Sequence, residues 1–344
     1  MTKRYLGNII TQNPTAPAGP YQDSAASGVW SLAEAFAYSK AGLWPTAGNA
    51  APIGLFGGGT ADVDYQATID KIIITTTGNA SDFGDLSSGR RDPHGVSSAT
   101  RGVFAGGYNS SAVTSIMDYV TIQSDGNATD FGDINNGDSL SGGSGNSTRG
   151  IFFGGYSGGG VNYIRYITIA STGNTTDFGN MTTDGFSGGA HASSTRAVVA
   201  LGNSGFSTSN IINYVTIAST GNASDFGDLT QAKDLTGSCN SSTRGIFAGG
   251  DATFNYNVIE YVTIASTGNG TDFGDLNEGL AGVIAADDAT TGVFGGGFAS
   301  GYVYRNTIQY ITIASTGNSS DFGDLTQTKS RGGGVSSAHG GLAA

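Results

Sequence analysis

Short apolar blocks separated by small polar residues recur along most of this chain. The best repeated is Ile259-Glu-Tyr-Val-Thr-Ile264, with relatives at Met117–Ile122, Ile164–Ile169, Ile212–Ile217 and Ile308–Ile313. A turn of the Ser-Thr-Gly-Asn type follows each, and then a block containing Asp-Phe-Gly. Ahead of it stands an apolar block ending in two glycines, as in Gly102-Val-Phe-Ala-Gly-Gly107 and Gly245-Ile-Phe-Ala-Gly-Gly250. A small Ser/Gly-rich block comes first, as in Gly95-Val-Ser-Ser98 and Gly237-Ser-Cys-Asn240. Apolar residues occupy odd and even positions alike, which predicts strands covered on both sheet faces.

The Asp-Phe-Gly triplet marks the period. It occurs at Asp82, Asp130, Asp177, Asp225, Asp272 and Asp321, at intervals of 48, 47, 48, 47 and 49 residues. One supersecondary unit is therefore repeated six times. Four short strands per unit, covered on both faces, predict an all-β, six-bladed β-propeller over residues 53–344. The first unit starts directly at the double-glycine block, Gly54-Leu-Phe-Gly-Gly-Gly59, and a stray first block, Gly332-Gly-Gly-Val-Ser-Ser337, follows the last triplet. That C-terminal strand is expected to complete the first blade and leave no open edge.

Residues 1–52 are different. They hold five of the six prolines and both tryptophans, and carry a net charge of +1 against −13 for the rest. Asn13 to Gln22 reads as extended, polyproline-like backbone. One short helix is then predicted: Ser31-Leu-Ala-Glu34 is a capping box, Leu32 to Lys40 is rich in helix formers, and Gly42 and Pro45 stop it. Leu32, Ala35 and Phe36 share one helix face. So short a helix needs a surface to pack on.

Composition narrows the function. With net charge −12 and no Lys/Arg cluster, neither nucleic acid nor an anionic membrane is an expected partner. No apolar run approaches the ~18 residues of a membrane span, and the first residues lack the apolar stretch of a signal peptide. A single Cys239 rules out an internal disulfide. It sits in a first-strand block and reads as a small buried hydrophobe.

Catalytic chemistry finds little footing. Asp-Phe-Gly lacks the other parts of a kinase, and its six aspartates are read as accepting backbone or Arg hydrogen bonds at the blade periphery. A calcium ion wants six to eight oxygens, and no loop supplies a dense acidic set. The Arg of the Thr-Arg pair (Arg101, Arg149, Arg196, Arg244) recurs in four blades and reads as a salt bridge or backbone clamp. His94 and His191 occupy non-equivalent repeat positions, so no matched histidine pair is expected, and His339 reads as structural. The Asn-X-Ser/Thr sequons at Asn79, Asn127, Asn174, Asn222, Asn269 and Asn318 share one turn, where Asn tolerates left-handed backbone. The expectation is a non-enzymatic protein with no cofactor and no metal.

What fails to repeat points to binding. The links between first and second strands and between third and fourth barely change, whereas the other two loop classes, on the opposite face, vary and carry aromatics. These are Tyr65, Tyr108, Tyr156, Tyr163, Phe206, Phe254, Tyr256, Phe298, Tyr302 and Tyr304. Rigid rings among Gly, Ser and Asn suit recognition of a glycan or a protein surface.

Two resemblances follow. The strand order, with Gly106-Gly107, Tyr119 and Phe131 in one unit and Gly249-Gly250, Tyr261 and Phe273 in another, resembles the kelch repeat, with Phe where kelch units usually carry Trp. The stretches Tyr5-Leu-Gly-Asn8, Gly28-Val-Trp-Ser-Leu-Ala-Glu34 and Gly42-Leu-Trp-Pro45 resemble a segment of bacteriophage tail-fibre and other virion proteins, marine ones especially. This second likeness implies an anchoring or oligomerising segment over residues 1–52, with Tyr5, Trp30, Leu32, Phe36 and Trp44 as contacts to other virion proteins. It also implies a homo-oligomer in the virion, assembled in the host cytoplasm, whose propeller is the displayed module. Capsid decoration without a receptor role, an enzyme of the galactose-oxidase type and a cytoplasmic kelch scaffold are the other readings.

Overall fold

The computed structural model describes residues 51–342, apart from residues 63, 136, 140, 141 and 206, together with Ser31, Ala33, Glu34, Phe36 and Ala37. The chain divides after Pro52 into two units. In the first, the Ser31 N–H donates to Glu34 Oε2 at 2.9 Å and the Glu34 N–H donates to Ser31 Oγ at 3.2 Å, the reciprocal pair of a capped helix start. The Ser31 hydroxyl, and then its backbone N–H, hold the Glu34 carboxyl below its ordinary pKa. Phe36 is 68% exposed. Tyr5, Trp30, Leu32 and Trp44 lie outside the described residues.

The second unit is a six-bladed propeller of four-stranded antiparallel sheets. Blade 2 runs His94–Ser97, Arg101–Ala105, Ile116–Thr121 and Thr129–Asp133. Blade 3 runs Gly142–Gly145, Arg149–Tyr156, Gly160–Thr168 and Thr176–Gly185. Blades 4, 5 and 6 open with Ala190–Ala192, Gly237–Asn240 and Ile284–Asp287 and end with Ser224–Asp228, Thr271–Asp275 and Ser320–Asp324. Blade 1 takes its second to fourth strands from Ile53–Gly57, Thr68–Ile73 and Ser81–Asp85, and its first from Gly333–Ser336. The closing register pairs Gly54 with Ser336 and Gly57 with Gly333. First strands touch their neighbours all the way round the axis, blade 6 against blade 1 included. Glycine permits that approach: a Cβ on Gly334 would lie 1.8 Å from the Ala285 carbonyl oxygen.

The core lies between blades. Phe56, Ile72 and Ile74 of blade 1, for example, pack with Ile284, Val293, Phe322 and Leu325 of blade 6. The phenylalanine of every triplet is buried. It is also a bulge residue: Ile69 pairs with Gly84 and Asp70 with Asp82, leaving Phe83 without an opposite partner and free to turn inward. In five blades the third-strand tyrosine meets this ring edge-on, at 6.1 Å for Tyr119 and Phe131. Each such burial stabilises the fold by roughly 2–3 kcal/mol.

The triplet aspartates differ from expectation. Asp82 and its equivalents are exposed, and no side-chain hydrogen bond holds them among the described residues. The contacts run instead through the rest of the motif and the next blade's Gly-Asn turn. Gly126 N–H donates to the Phe83 carbonyl at 2.8 Å, and the Asp85 N–H donates to Asn127 Oδ1 at 3.0 Å. Asn174, Asn222, Asn269, Asn318 and Asn79 do the same at the other junctions. The asparagines are thus inter-blade acceptors rather than left-handed turn residues. The triplet glycine makes room for them: Gly84 has φ +144°, and a Cβ there would meet the Gly126 backbone at 2.5 Å.

The recurrent arginines are backbone clamps. Arg101, Arg149, Arg196 and Arg244 each lie 4.3–4.4 Å from the tyrosine ring of their own third strand. Each also donates to a carbonyl in the next blade, Ile169, Ile217, Ile264 and Ile313 respectively. Cys239 is fully buried as expected, in contact distance of the Gly292 position.

Candidate functional site

The two variable loop classes are built on one another. At every junction the connector entering a blade forms a β-bridge with that blade's second-to-third-strand loop: Arg91 with Tyr108, Ser139 with Tyr156, Phe186 with Asn203, Asp234 with Asp251, Ala281 with Phe298 and Ser330 with Thr60. The aromatic residues therefore stand on pinned backbone.

The next connector residue adopts the left-handed region at Asp92, Ser187, Leu235, Gly282 and Arg331, with φ between 52° and 64°. Four hydrogen bonds link them in sequence around the axis: Asp92 N–H to Arg331 O, Arg331 N–H to Gly282 O, Gly282 N–H to Leu235 O, and Leu235 N–H to Ser187 O, at 2.6–2.8 Å. Arg331 also makes a bidentate pair with Asp92, both contacts at 2.7 Å. A band of main chain thus rims the axis on the loop face.

The other end of the axis is stoppered by the residues after the closing strand. His339 Nε2 donates to the Ser97 carbonyl at 2.9 Å, and its Nδ1 accepts from the Gly341 N–H. Gly340 N–H donates to Asp287 Oδ1, whose other oxygen accepts from the Asn240 N–H. Burial pushes the Asp287 carboxyl well above its ordinary pKa. His191, on the first strand of blade 4, lines the same axial space as Asp287 and His339. Its Nδ1 bonds Ser238 Oγ at 3.1 Å, and since that hydroxyl donates to the Ile246 carbonyl, Nδ1 carries the proton and Nε2 is left with no partner. Burial drives its pKa down to about 3.

The expected binding residues divide into groups. Tyr65 and Tyr108 face each other at 6.0 Å with the Arg91 guanidinium against both rings. Tyr156 meets Phe186 at 5.4 Å, and Phe254 meets Tyr256 at 4.7 Å. Tyr302, 72% exposed, stacks on Phe298 at 5.4 Å, and Tyr304 packs against the same ring. Phe298 itself is only 6% exposed, so it is the base on which those tyrosines rest rather than a contact residue. Tyr302 has φ 59°, a left-handed backbone that carries a cost for a residue other than glycine. Phe254 is 57% exposed. Phe206 lies outside the described residues.

The sequence reading missed an inter-blade polar key. The eighth residue after each triplet aspartate meets the residue that precedes the third-strand tyrosine position in the next blade. Arg90 pairs with Asp118 at 2.8 Å, Lys233 with Glu260 at 2.8 Å and Lys329 with Asp70 at 2.6 Å, all with fully buried side chains. Between blades 2 and 3 the signs are exchanged, with Asp138 on the connector and Arg165 on the strand. Where the connector residue is uncharged, Gly185 and Leu280, the strand carries an amide, Asn213 and Gln309. Those amides accept from Thr182 and Asn277 N–H groups. Reading the two repeat positions side by side would have revealed this covariation of charge.

The exchanged junction opens into a cavity of 270 Å³ lined by Gly137, Asp138, Ser157, Val161, Tyr163 and Arg165. Arg165 donates to the Asn135 and Gly154 carbonyls, at 2.7 and 2.9 Å, and to Asp138 Oδ2. Burial raises the Asp138 carboxyl to about 6, against the pull of Arg165. A second raised carboxyl, Asp234, also reaches about 6 through burial, opposed by the Asn203 amide that donates to it.

Among the described residues no group of three or more His, Cys, Asp or Glu is placed to hold a metal ion. No protein-family model matches the chain, and no curated protein matches it in sequence. Among solved structures it is similar to one described as "Structure of YjhT", with a TM-score of 0.59 over 73% of this chain and 88% of that one, at 12% identity. That likeness shows a shared fold.

Proposed function

We propose that this chain is a non-enzymatic bacteriophage virion protein, a fibre or appendage subunit. Residues 1–52 dock it, as a homo-oligomer, on other virion proteins. The propeller presents its variable loop face to a glycan or protein on the host surface. The resemblance of the N-terminal segment to virion proteins supports the first part, and the capped helix start at Ser31 and Glu34 fits an element made to pack on a partner.

The observation that carries the second part is the set of connector bridges beneath the loops. A face whose six loops are each tied to a neighbouring connector loses little conformational entropy on binding, so its exposed rings are preorganised contacts. Tyr302 and Phe254 are the most exposed of these.

Purified protein applied to host cells tests the reading, with Tyr256→Ala, Tyr302→Ala and Tyr304→Ala combined as the control. Saturable binding that the triple variant reduces is expected. Equal binding by the variant would count against the aromatic face, and normal entry into virions by a chain lacking residues 1–52 would overturn the anchoring role.

A further inference from the structure

Blade 3 departs from the repeat in three ways at once, and all three meet at one place. Its second and third strands continue without a break into a long hairpin, Arg149–Tyr156 and Gly160–Thr168, where other blades have bends or a separate two-residue ribbon. Its buried polar residue is a cation, Arg165, set against an anionic connector. Two residues earlier on the same strand, where blades 1, 2, 4, 5 and 6 have Thr68, Ile116, Ile211, Val258 and Thr307, it carries Tyr163, 43% exposed.

We propose that the cavity between blades 2 and 3 is a binding site for a single neutral hexopyranose ring, with Tyr163 as its stacking platform and Arg165 and Asp138 as its polar floor. This rests on the loop-face reading above and gives that face a ligand class and a location.

Size comes first. A space of 270 Å³ lies just under the roughly 300 Å³ at which pockets for drug-sized ligands begin, so it suits one sugar ring. Polarity comes second. Arg165 and Asp138 are nearly fully buried, and each keeps one atom without a hydrogen bond, Arg165 Nε and Asp138 Oδ1. The Arg90–Asp118 pair also leaves a guanidinium and a carboxylate atom unbonded, but both its side chains are sealed from solvent. Only the exchanged pair lines this cavity. Its two unbonded atoms have almost no accessible surface, so the floor meets a ligand through the rest of the pair, a guanidinium beside a carboxylate, which suits hydroxyls that both donate and accept. Charge comes third. Arg165 is already neutralised by Asp138, so an acidic sugar would bring an unpaired charge against the carboxylate. Tyr163 supplies the apolar half, because the negative face of its ring attracts the polarised C–H bonds on the flat side of a pyranose. The Arg165 guanidinium lies over that ring, 6.0 Å from its centre.

The test is titration calorimetry with saturation-transfer NMR on the full chain, using the methyl glycosides of glucose, galactose and mannose, N-acetylglucosamine, and glucuronate as the acidic probe. Tyr163 is exposed enough for Tyr163→Ala to fold, and Tyr163→Phe keeps the ring. At least one neutral sugar should bind, about tenfold more weakly to Tyr163→Ala and unchanged to Tyr163→Phe. Glucuronate as the tightest probe would overturn the neutral class, and equal binding by Tyr163→Ala would overturn the site. Host-cell binding without binding of any of these sugars would overturn this inference and leave the loop-face reading standing. Loss of host-cell binding in Tyr256→Ala/Tyr302→Ala/Tyr304→Ala with sugar binding retained would support this site as a second, independent contact.

Discussion

Asn79 in the first blade accepts a hydrogen bond at 3.0 Å from the backbone N–H of Asp324 in the sixth, across 245 residues of sequence. The same bond joins Asn127 to Asp85 and every later pair of neighbours, so the junction that closes the ring is built like the others. Asn79→Ala and Asn127→Ala should therefore cost the same, about 1 kcal/mol each. Urea titration checks this. A much larger loss for Asn79 would mark the closing junction as the weak one.

Closure also depends on Gly333–Ser336. Removing residues 333–342 leaves Ile53–Gly57 as a bare strand edge, open to pairing with other chains. The shortened chain is expected to self-associate and melt lower, by light scattering and thermal unfolding. A monodisperse product with an unchanged melting temperature would contradict the role of that strand.

The charge key predicts a rescue. Arg90→Asp or Asp118→Arg alone buries two like charges, and removing one partner of a buried pair already costs about 3–5 kcal/mol. The double exchange reproduces the arrangement of Asp138 and Arg165 and should recover most of the loss. A double-mutant cycle in denaturant measures it, and additive losses would show that the two sites do not read one another.

His191 predicts an acid-labile ring. Its folded pKa lies near 3 against 6.5 when exposed, so the unfolded chain binds a proton first as pH falls. Its contribution to stability is full above pH 6.5 and is lost progressively as pH drops toward 3, at up to about 1.4 kcal/mol per pH unit. His191→Val places there the residue found at the equivalent Val96 and Val335. The variant should gain on the native chain steadily between pH 7 and pH 4, and parallel stability curves would sink the assignment.

The blade count, the closing strand and the burial of Cys239 were all legible in the sequence, because each depends on spacing within one unit or on a unit out of place. Asn127 was misread as a turn former because its partner, Asp85, lies in the preceding unit, and a local pattern carries no sign of a contact 42 residues away. Phe298 looked like a contact residue among glycines. It is buried because Tyr302 and Tyr304 close over it, a tertiary matter. The stopper around His339 occurs once, so periodicity had nothing to say about it. The exchange of Asp138 and Arg165 was present in the sequence and visible only when two repeat positions were compared.

Ile53–Gly57 is the second strand of its blade, flanked on one side by Gly333–Ser336 and on the other by Thr68–Ile73. Tension arriving along the backbone through Pro52 therefore enters an interior strand. A pull along that strand loads both ladders in shear, so their hydrogen bonds share the force instead of parting one at a time. Under the attachment role proposed above, such a load would enter the propeller at the place where the ring is sewn shut from both sides.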